Sequence, residues 1–406
     1  MKRVLPVLPA CLALLSTAAA PAAGTAPAGA AGDSAAAAPP AAANLLRYDR
    51  PAADWNEALP VGNGRLGAMV RGGAAREVLS LNEATLWSGA PREWNNPAAP
   101  AALADARAAI FAGDYLKADR LCREMQGLFS ESYQPLGDLV LDFLAPAGTG
   151  GAAEHAAEHA TAAAATAATA AAAYERTLDL DRAVAVTRCE IGGVTHTREV
   201  FASWPDQLIV VRLAADRPGA LNFNVSATTP HRHTTAATAG GTFAGVASAD
   251  STTPAATPAD GAALLALHGR APAHIAHSGT DAVVYDDGPN PEGMVFALHV
   301  RVVETDGEIT AGGPGETAPP APPAKSASAT TTAATAAAAP AALFIRRATR
   351  ATLLVSAATS FNGPFKSPGR EGRDAGALAV RPLDAAGGTA AAALLERHAA
   401  DHRALY

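Results

Sequence analysis

The chain has 406 residues, enough for one large or two ordinary domains; 49% of it is hydrophobic by type, yet only 5% is aromatic. Much of that apolar share is alanine, which buries little area, so a core has to come from the Leu, Val, Ile and Phe positions. The net charge is −7 with no long Lys/Arg run, and a chain that cannot neutralise a row of phosphates is not a nucleic-acid binder.

Residues 1–23 carry two cations, then an apolar run, then small residues, the layout of a secretory signal peptide. Cleavage is expected near Ala20 to Ala30, and the destination is periplasmic or extracellular. The leader is too short and too proline-broken to span a bilayer, and no later stretch is apolar enough, so no membrane span is expected. Residues 24–43 form an Ala/Pro tether with almost nothing to bury, expected to be disordered. Three Ala/Thr/Pro/Gly tracts, near 147–173, 233–262 and 311–342, cannot offset ordering entropy with burial and are read as loop insertions on a folded frame. Outside the leader only Cys122 and Cys189 remain. That count excludes a disulfide framework and a thiolate metal site, and leaves open whether the two pair.

Gly62, Gly64 and Gly67 then spell G-x-G-x-x-G, with an acid, Glu83, about twenty positions on, as in a dinucleotide-binding loop. That loop works only when the glycines lead from a strand into a helix facing the pyrophosphate. Here Ala68 to Arg71 separate Gly67 from Gly72-Gly73, room for a hairpin strand and not for a helix. The glycines are assigned to a sheet corner, and no cofactor is implied. Pro100 to Met125 reads as a helical hairpin, with Leu103, Ala106 and Ile110 on one face and Gly113-Asp114 breaking and recapping it.

From 174 to 229 the period becomes two. Leu178 and Leu180 alternate with aspartates, and Ala183 to Cys189 continues the extended run. Gly192-Gly193 turns the chain, and Val194, His196, Arg198 and Val200 share one face on the return. Trp204-Pro205-Asp206 and Pro218-Gly219 mark further turns. Strands follow at 263–268, 294–303, 343–347 and 351–357. Short runs of this kind with regular turns predict a mainly β chain, a large antiparallel β-sandwich. A last helix is expected over Ala391 to Tyr406, so helices appear in two places only.

Two histidine patterns imitate metal motifs. His155, Glu158 and His159 give the order of an inverted zinc-peptidase motif, but inside an alanine tract with nothing to build a supporting shell. His274 and His277 are flanked by Pro272 and Gly279, which favour a loop with a structural or substrate-facing role. No metal site is assigned.

The run Trp55 to Val70, with Leu81-Asn82-Glu83, Thr85 to Gly89, Asn95-Asn96-Pro97 and Ser132 to Leu139, resembles the N-terminal domain of glycoside hydrolase family 95, the α-L-fucosidases. Leu178 to Asp181, Arg198 to Ser203 and Ser360 to Gly363 extend the resemblance. It implies a β-supersandwich over 44–380, with the helical hairpin as a small insertion. Residues 381–406 would then begin a helical linker to an (α/α)6 barrel. It also implies inverting hydrolysis of terminal α-linked fucose, with a fucosylated oligosaccharide or glycan as partner. In that family the acid, the base and the asparagines that position water belong to the barrel. After Phe361 only 45 residues remain, so the expectation is that this chain lacks the barrel and is inactive alone. No catalytic residue is assigned, and Glu57 and Glu83 are not candidates. The tracts are longer than the family pattern, and His402 stands where the family often has tyrosine. Substrate-binding candidates are Trp87, Asn95, Asn96, Tyr133 and Gln134, as aromatic faces and amides over a barrel mouth. The plainer alternative makes Trp87 a packing residue, Asn82 a turn cap and Gln134 a partner for buried backbone. A second functional reading is a stand-alone carbohydrate-binding β-sandwich without catalysis.

Overall fold

The computed structural model describes residues 44–144, 173–239, 263–276, 283–312, 315–317 and 341–405. The expected leader and tether, nearly all of the 147–173 tract with His155 to His159, and His277 lie outside them.

Ten strands form one sheet, in the order Leu45–Tyr48, Tyr174–Asp179, Val184–Ile191, Val194–Ser203, Leu208–Ala215, Arg350–Thr359, Val295–Thr305, Leu264–Arg270, Arg232–Thr238 and Gly315–Thr317. Seven form a second, in the order Glu308–Gly312, Ala342–Ala348, Leu221–Thr228, Gly137–Phe143, Arg76–Glu83, Leu66–Val70 and Leu59–Gly62. The pairings among these strands are antiparallel. Leu79, Leu139, Leu141, Phe223 and Val225 of the smaller sheet share one buried cluster with Val200, Val211, Leu267, Leu298 and Leu353 of the larger. The predicted sandwich is therefore the fold.

Burial along single strands shows how the layers are used. Leu221–Thr228 alternates in the way a strand with one covered face must. Arg350–Thr359 is buried at nearly every position, because its second face is covered as well. Helix α1 (Ala99–Phe111) and helix α2 (Tyr115–Glu124) form the predicted hairpin. Gly113 takes φ +77°, which favours glycine, and Asp114 caps α2 by accepting from the Lys117 N–H at 3.0 Å. Helix α3 (Ala375–Ala386) and helix α4 (Ala391–Leu405) lie on the outer face of the ten-stranded sheet. There Leu383, Ala386 and Leu394 join a second cluster with Val184, Phe201, Leu208, Val210 and Leu354. Ala375 and Ala379 pack on Ala297 and Ala358, small residues that bring helix and sheet close together.

Three expectations about the fold need correction. Ala183 does not continue an extended run: it sits at φ 50° in the turn that folds Val184–Ile191 back on Tyr174–Asp179. The tracts near 233–262 and 311–342 are not loop throughout, since Arg232–Thr238, Glu308–Gly312 and Gly315–Thr317 are paired strands in or at their edges. In the predicted helical hairpin Ala106 and Ala109 are buried while Ile110 is 45% exposed. Helices are not confined to two places, because α3 spans the expected domain boundary at 380. Its sequence, AGALAVRPLDAA, carries Gly376 and Pro382 and few large apolar residues, so its stability comes from docking and not from propensity.

The start of α3 is fixed by Asp374, whose carboxylate accepts from the Ala377 N–H at 2.9 Å. Asp374→Ala should cost about 1 kcal/mol, read as a shifted urea midpoint with unchanged slope.

Candidate functional site

The glycine motif forms a hairpin. Leu59–Gly62 pairs with Leu66–Val70, Gly62 opposite Gly67, and Gly64 turns between them at φ +82°. Asn63 locks this turn: its amide oxygen accepts from the N–H groups of Arg65 and Leu66, and its Nδ2 donates to the Ser203 carbonyl. Glu83, which in a nucleotide fold would meet a ribose, instead lies 3.6 Å from the Arg65 guanidinium.

That hairpin opens on a cavity of about 340 Å³ lined by Arg65, Glu83, Thr85, Gln207, Thr359 and Phe361 on the sheet side, and by Arg373, Leu378, Arg381 and Pro382 on the α3 side. The size falls within the range of roughly 300–1,000 Å³ usual for small-molecule sites. Leu378, Arg381 and Pro382 are spaced i, i+3, i+4 and fall on one stripe of α3. On the floor, Arg65 donates to Gln207 Oε1, the Gln207 carbonyl and the Ala357 carbonyl at 2.6–3.0 Å. Burial lowers the Arg65 pKa, and Glu83 partly offsets this. Glu83 is buried and accepts from the Thr85 N–H and hydroxyl at 2.7 and 2.6 Å. Thr85 in turn meets the Thr359 hydroxyl at 2.5 Å. Gln207 holds φ 57°, a left-handed backbone rare outside glycine, which places strain at the cavity wall.

The sequence-predicted residues divide. Trp87 and Tyr133 come together: they bridge as backbone partners, their rings meet edge to face at 5.5 Å, and they remain 42% and 41% exposed. The Tyr133 hydroxyl donates to the Glu83 carbonyl, which ties the aromatic pair to a cavity residue. Burial, then the nearby Glu83 charge, raises the Tyr133 pKa, so the phenol stays a donor. Gln134 takes the plainer role. It is buried, and its Nε2 donates to the carbonyls of Ser132 and Tyr133. Asn96 is also structural: its Nδ2 holds the carbonyls of Glu124 and Gln126 past the end of α2, while its Oδ1 accepts from the Ala98 N–H. Asn95 is exposed, and its backbone N–H donates to Glu93. Asn82 sits within its strand opposite Gly67 and caps no turn.

A further cluster surrounds Glu131. Its carboxylate accepts from the Ser88 hydroxyl at 2.9 Å, meets His274 Nδ1 at 2.8 Å and lies 3.5 Å from the Arg92 guanidinium. Burial would raise this carboxyl, but the His274 and Ser88 hydrogen bonds outweigh it and hold the pKa below the usual value. His274 lies in a short strand, His274–Ile275, paired with Val283–Val284, and not in the expected loop. Cys122 is exposed and Cys189 buried, and both are free. Among the described residues no group of His, Cys, Asp and Glu has the arrangement of a metal site.

Sequence reasoning singled out Trp87 and Tyr133 but missed Arg373 and Arg381. These lie in or beside a helix that the periodicity did not show, and only the fold brings that helix to the glycine hairpin.

The protein named Alpha-L-fucosidase 2 of Arabidopsis thaliana is 29% identical over 370 residues, covering 89% of this chain and 36% of the relative. The protein named Probable alpha-fucosidase A of Aspergillus niger is 32% identical over 188 residues, 44% of this chain and 21% of the relative. The chain thus spans about a third or less of the length of these curated relatives. A solved structure named as a kojibiose phosphorylase from human microbiome aligns over 57% of this chain and 24% of its own, at 10% identity and a TM-score of 0.23, too loose a likeness to carry an argument. The family model described as glycosyl hydrolase family 65, N-terminal domain, matches residues 46–364, so the chain belongs to the family of N-terminal domains of glycosyl hydrolases that this model describes.

Proposed function

We propose that this chain is the N-terminal domain of an exported α-L-fucosidase-like hydrolase of the family 95 kind, and that it contacts the glycan without itself cleaving the bond. The observation that carries the reading is the Arabidopsis relative, named Alpha-L-fucosidase 2 and matched over 89% of this chain. The cationic and apolar run at residues 1–23 supports export.

The chemistry of the cavity supports a contact role. Inverting hydrolysis needs an acid and a base roughly 6.5–9.5 Å apart with a water between them. The cavity lining offers one carboxylate, Glu83, and it is buried under hydrogen bonds from Thr85 and the Arg65 charge. Trp87 and Tyr133 supply exposed ring faces of the kind that stack on sugar C–H surfaces.

The test is to incubate the purified chain with an α-1,2-fucosylated oligosaccharide, measuring free fucose and binding separately. Saturable binding with no release of fucose is expected; release at a catalytic rate would overturn the contact role. Trp87→Ala should weaken binding about tenfold, the loss of one stacking contact. Its melting temperature should barely move, because the ring is 42% exposed. Unchanged affinity would make Trp87 a packing residue.

A further inference from the structure

The charges in the cavity do not balance, and the imbalance points to a class of ligand. Its single carboxylate, Glu83, is matched by Arg65, whose guanidinium is already committed to Gln207 and Ala357. Arg373 and Arg381 are exposed at the α3 side, and neither guanidinium has a hydrogen-bond or ion-pair partner among the described residues. Elsewhere the arginines of this acidic chain are mostly paired: Arg370 with Glu292, Arg397 with Asp206, Arg301 with Asp384. Two uncompensated guanidinium groups line one cavity wall, and each is a planar fork of donors suited to carboxylate or sulfate oxygens, one that neutral hydroxyls would use poorly.

The remaining lining suits a sugar ring. Phe361 is 38% exposed and presents an apolar face. Thr85 and Thr359 supply hydroxyls, and Pro382 has no N–H for the Leu378 carbonyl one turn back, which leaves an acceptor within the same stripe of α3. The floor is rigid, since Arg65, Gln207, Glu83 and Thr85 hold one another through hydrogen bonds.

We propose that this cavity binds an acidic sugar unit, one carrying a carboxylate or a sulfate ester, with Arg373 and Arg381 taking the anion and Phe361 the ring face. The inference rests on the glycan reading above and narrows it to charged glycans.

Calorimetric titration of the purified chain at low salt would use three probes on one scaffold: a neutral fucosylated oligosaccharide, the same with a uronic acid, and the same with a sulfate ester. Inorganic sulfate is a fourth. At least one acidic probe should bind about tenfold more tightly than the neutral one, as charge-assisted bidentate bonds require. The arm that does so tells carboxylate from sulfate. The preference should vanish in the double variant Arg373→Gln/Arg381→Gln, whose melting curve should match the parent because both side chains are exposed. Phe361→Ala should weaken all sugar probes alike. Equal affinity for neutral and acidic probes, or a preference that survives in the double variant, overturns this inference and leaves the glycan reading standing. Inorganic sulfate binding as tightly as the sulfated sugar overturns the sugar part. Binding of none of the probes overturns both.

Discussion

Replacing Arg198 with alanine is expected to destabilise the domain by about 3–5 kcal/mol, the usual cost of stripping one partner from a buried ion pair. Arg198 belongs to Val194–Ser203 of the larger sheet and Glu77 to Arg76–Glu83 of the smaller, so their 3.3 Å contact crosses the sandwich. Both side chains are almost fully buried, at 2% and 3%. Arg198 also donates to the carbonyls of Gly73 and Ala74 and stacks 3.7 Å over the Phe143 ring. Glu77 accepts from the N–H groups of Gly72 and Val78 at 2.8 and 3.2 Å. Without Arg198, a carboxylate, two carbonyls and a ring face lose their partner in a place water does not reach. Urea unfolding at neutral pH measures the effect. In the double variant Glu77→Leu/Arg198→Met the carboxylate goes too, and the loss should be smaller than for Arg198→Ala alone. A single variant within 1 kcal/mol of the parent would show that water reaches the pair.

The alternation puts Val194, His196, Arg198 and Val200 on one face of their strand, and all four residues are buried. What the sequence could not show is the cation's destination, because Glu77 lies 121 positions away and meets it only when two sheets stack. The same division holds elsewhere. Local signals such as Gly192-Gly193, Pro218-Gly219 and Gly113-Asp114 are legible because turn chemistry acts over a few residues. The hairpin nature of the glycine motif was legible for the same reason. Helix α3 was not, since its sequence carries a weak helical pattern and gains its stability from the outer face of the sheet. The continuous burial of Arg350–Thr359 was the available clue, because an apolar run on both faces of an antiparallel strand requires a second covering layer. With α3 missed, the cavity wall it supplies was missed as well. Of the five candidate contacts, Trp87 and Tyr133 form an exposed aromatic pair, whereas Asn96 and Gln134 are engaged with backbone. Sequence alone cannot separate an amide that meets a ligand from one that satisfies its own chain.

The covering layer also determines how the domain should respond to acid. His299 points from Val295–Thr305 into the layer beneath α3. Its Nε2 lies 3.1 Å from His268 Nε2, and a Cβ added at Gly376 of α3 would lie 3.1 Å from the His268 ring. Arg301, paired with Asp384 of α3, and Asp374 at its cap are the other charges nearby. Burial, then the neighbouring His268 and Arg301, lowers the His299 pKa to about 3. In the sandwich interior, neither ring nitrogen of His196 has a hydrogen-bond partner among the described residues, and burial followed by the Arg198 charge lowers its pKa to about 4. Unfolded, both would titrate near 6.5. Between those values the unfolded chain binds more protons than the folded one, so stability is full above pH 6.5 and falls as pH drops. At 1.36 kcal/mol per pKa unit, each histidine removes on the order of 3 kcal/mol by pH 4. Unfolding followed from pH 7 to 4 should show this slope, and His196→Leu and His299→Gln should each flatten it. Parallel profiles in all three proteins would mean that the histidines are protonated in place. Two protonated rings 3.1 Å apart would repel each other directly under α3, so the acid that destabilises the domain also weakens the docking of this helix. Arg381 and Pro382 line the cavity from this helix, and the affinity for a sulfated sugar should therefore fall with pH alongside stability, a dependence that His299→Gln should reduce.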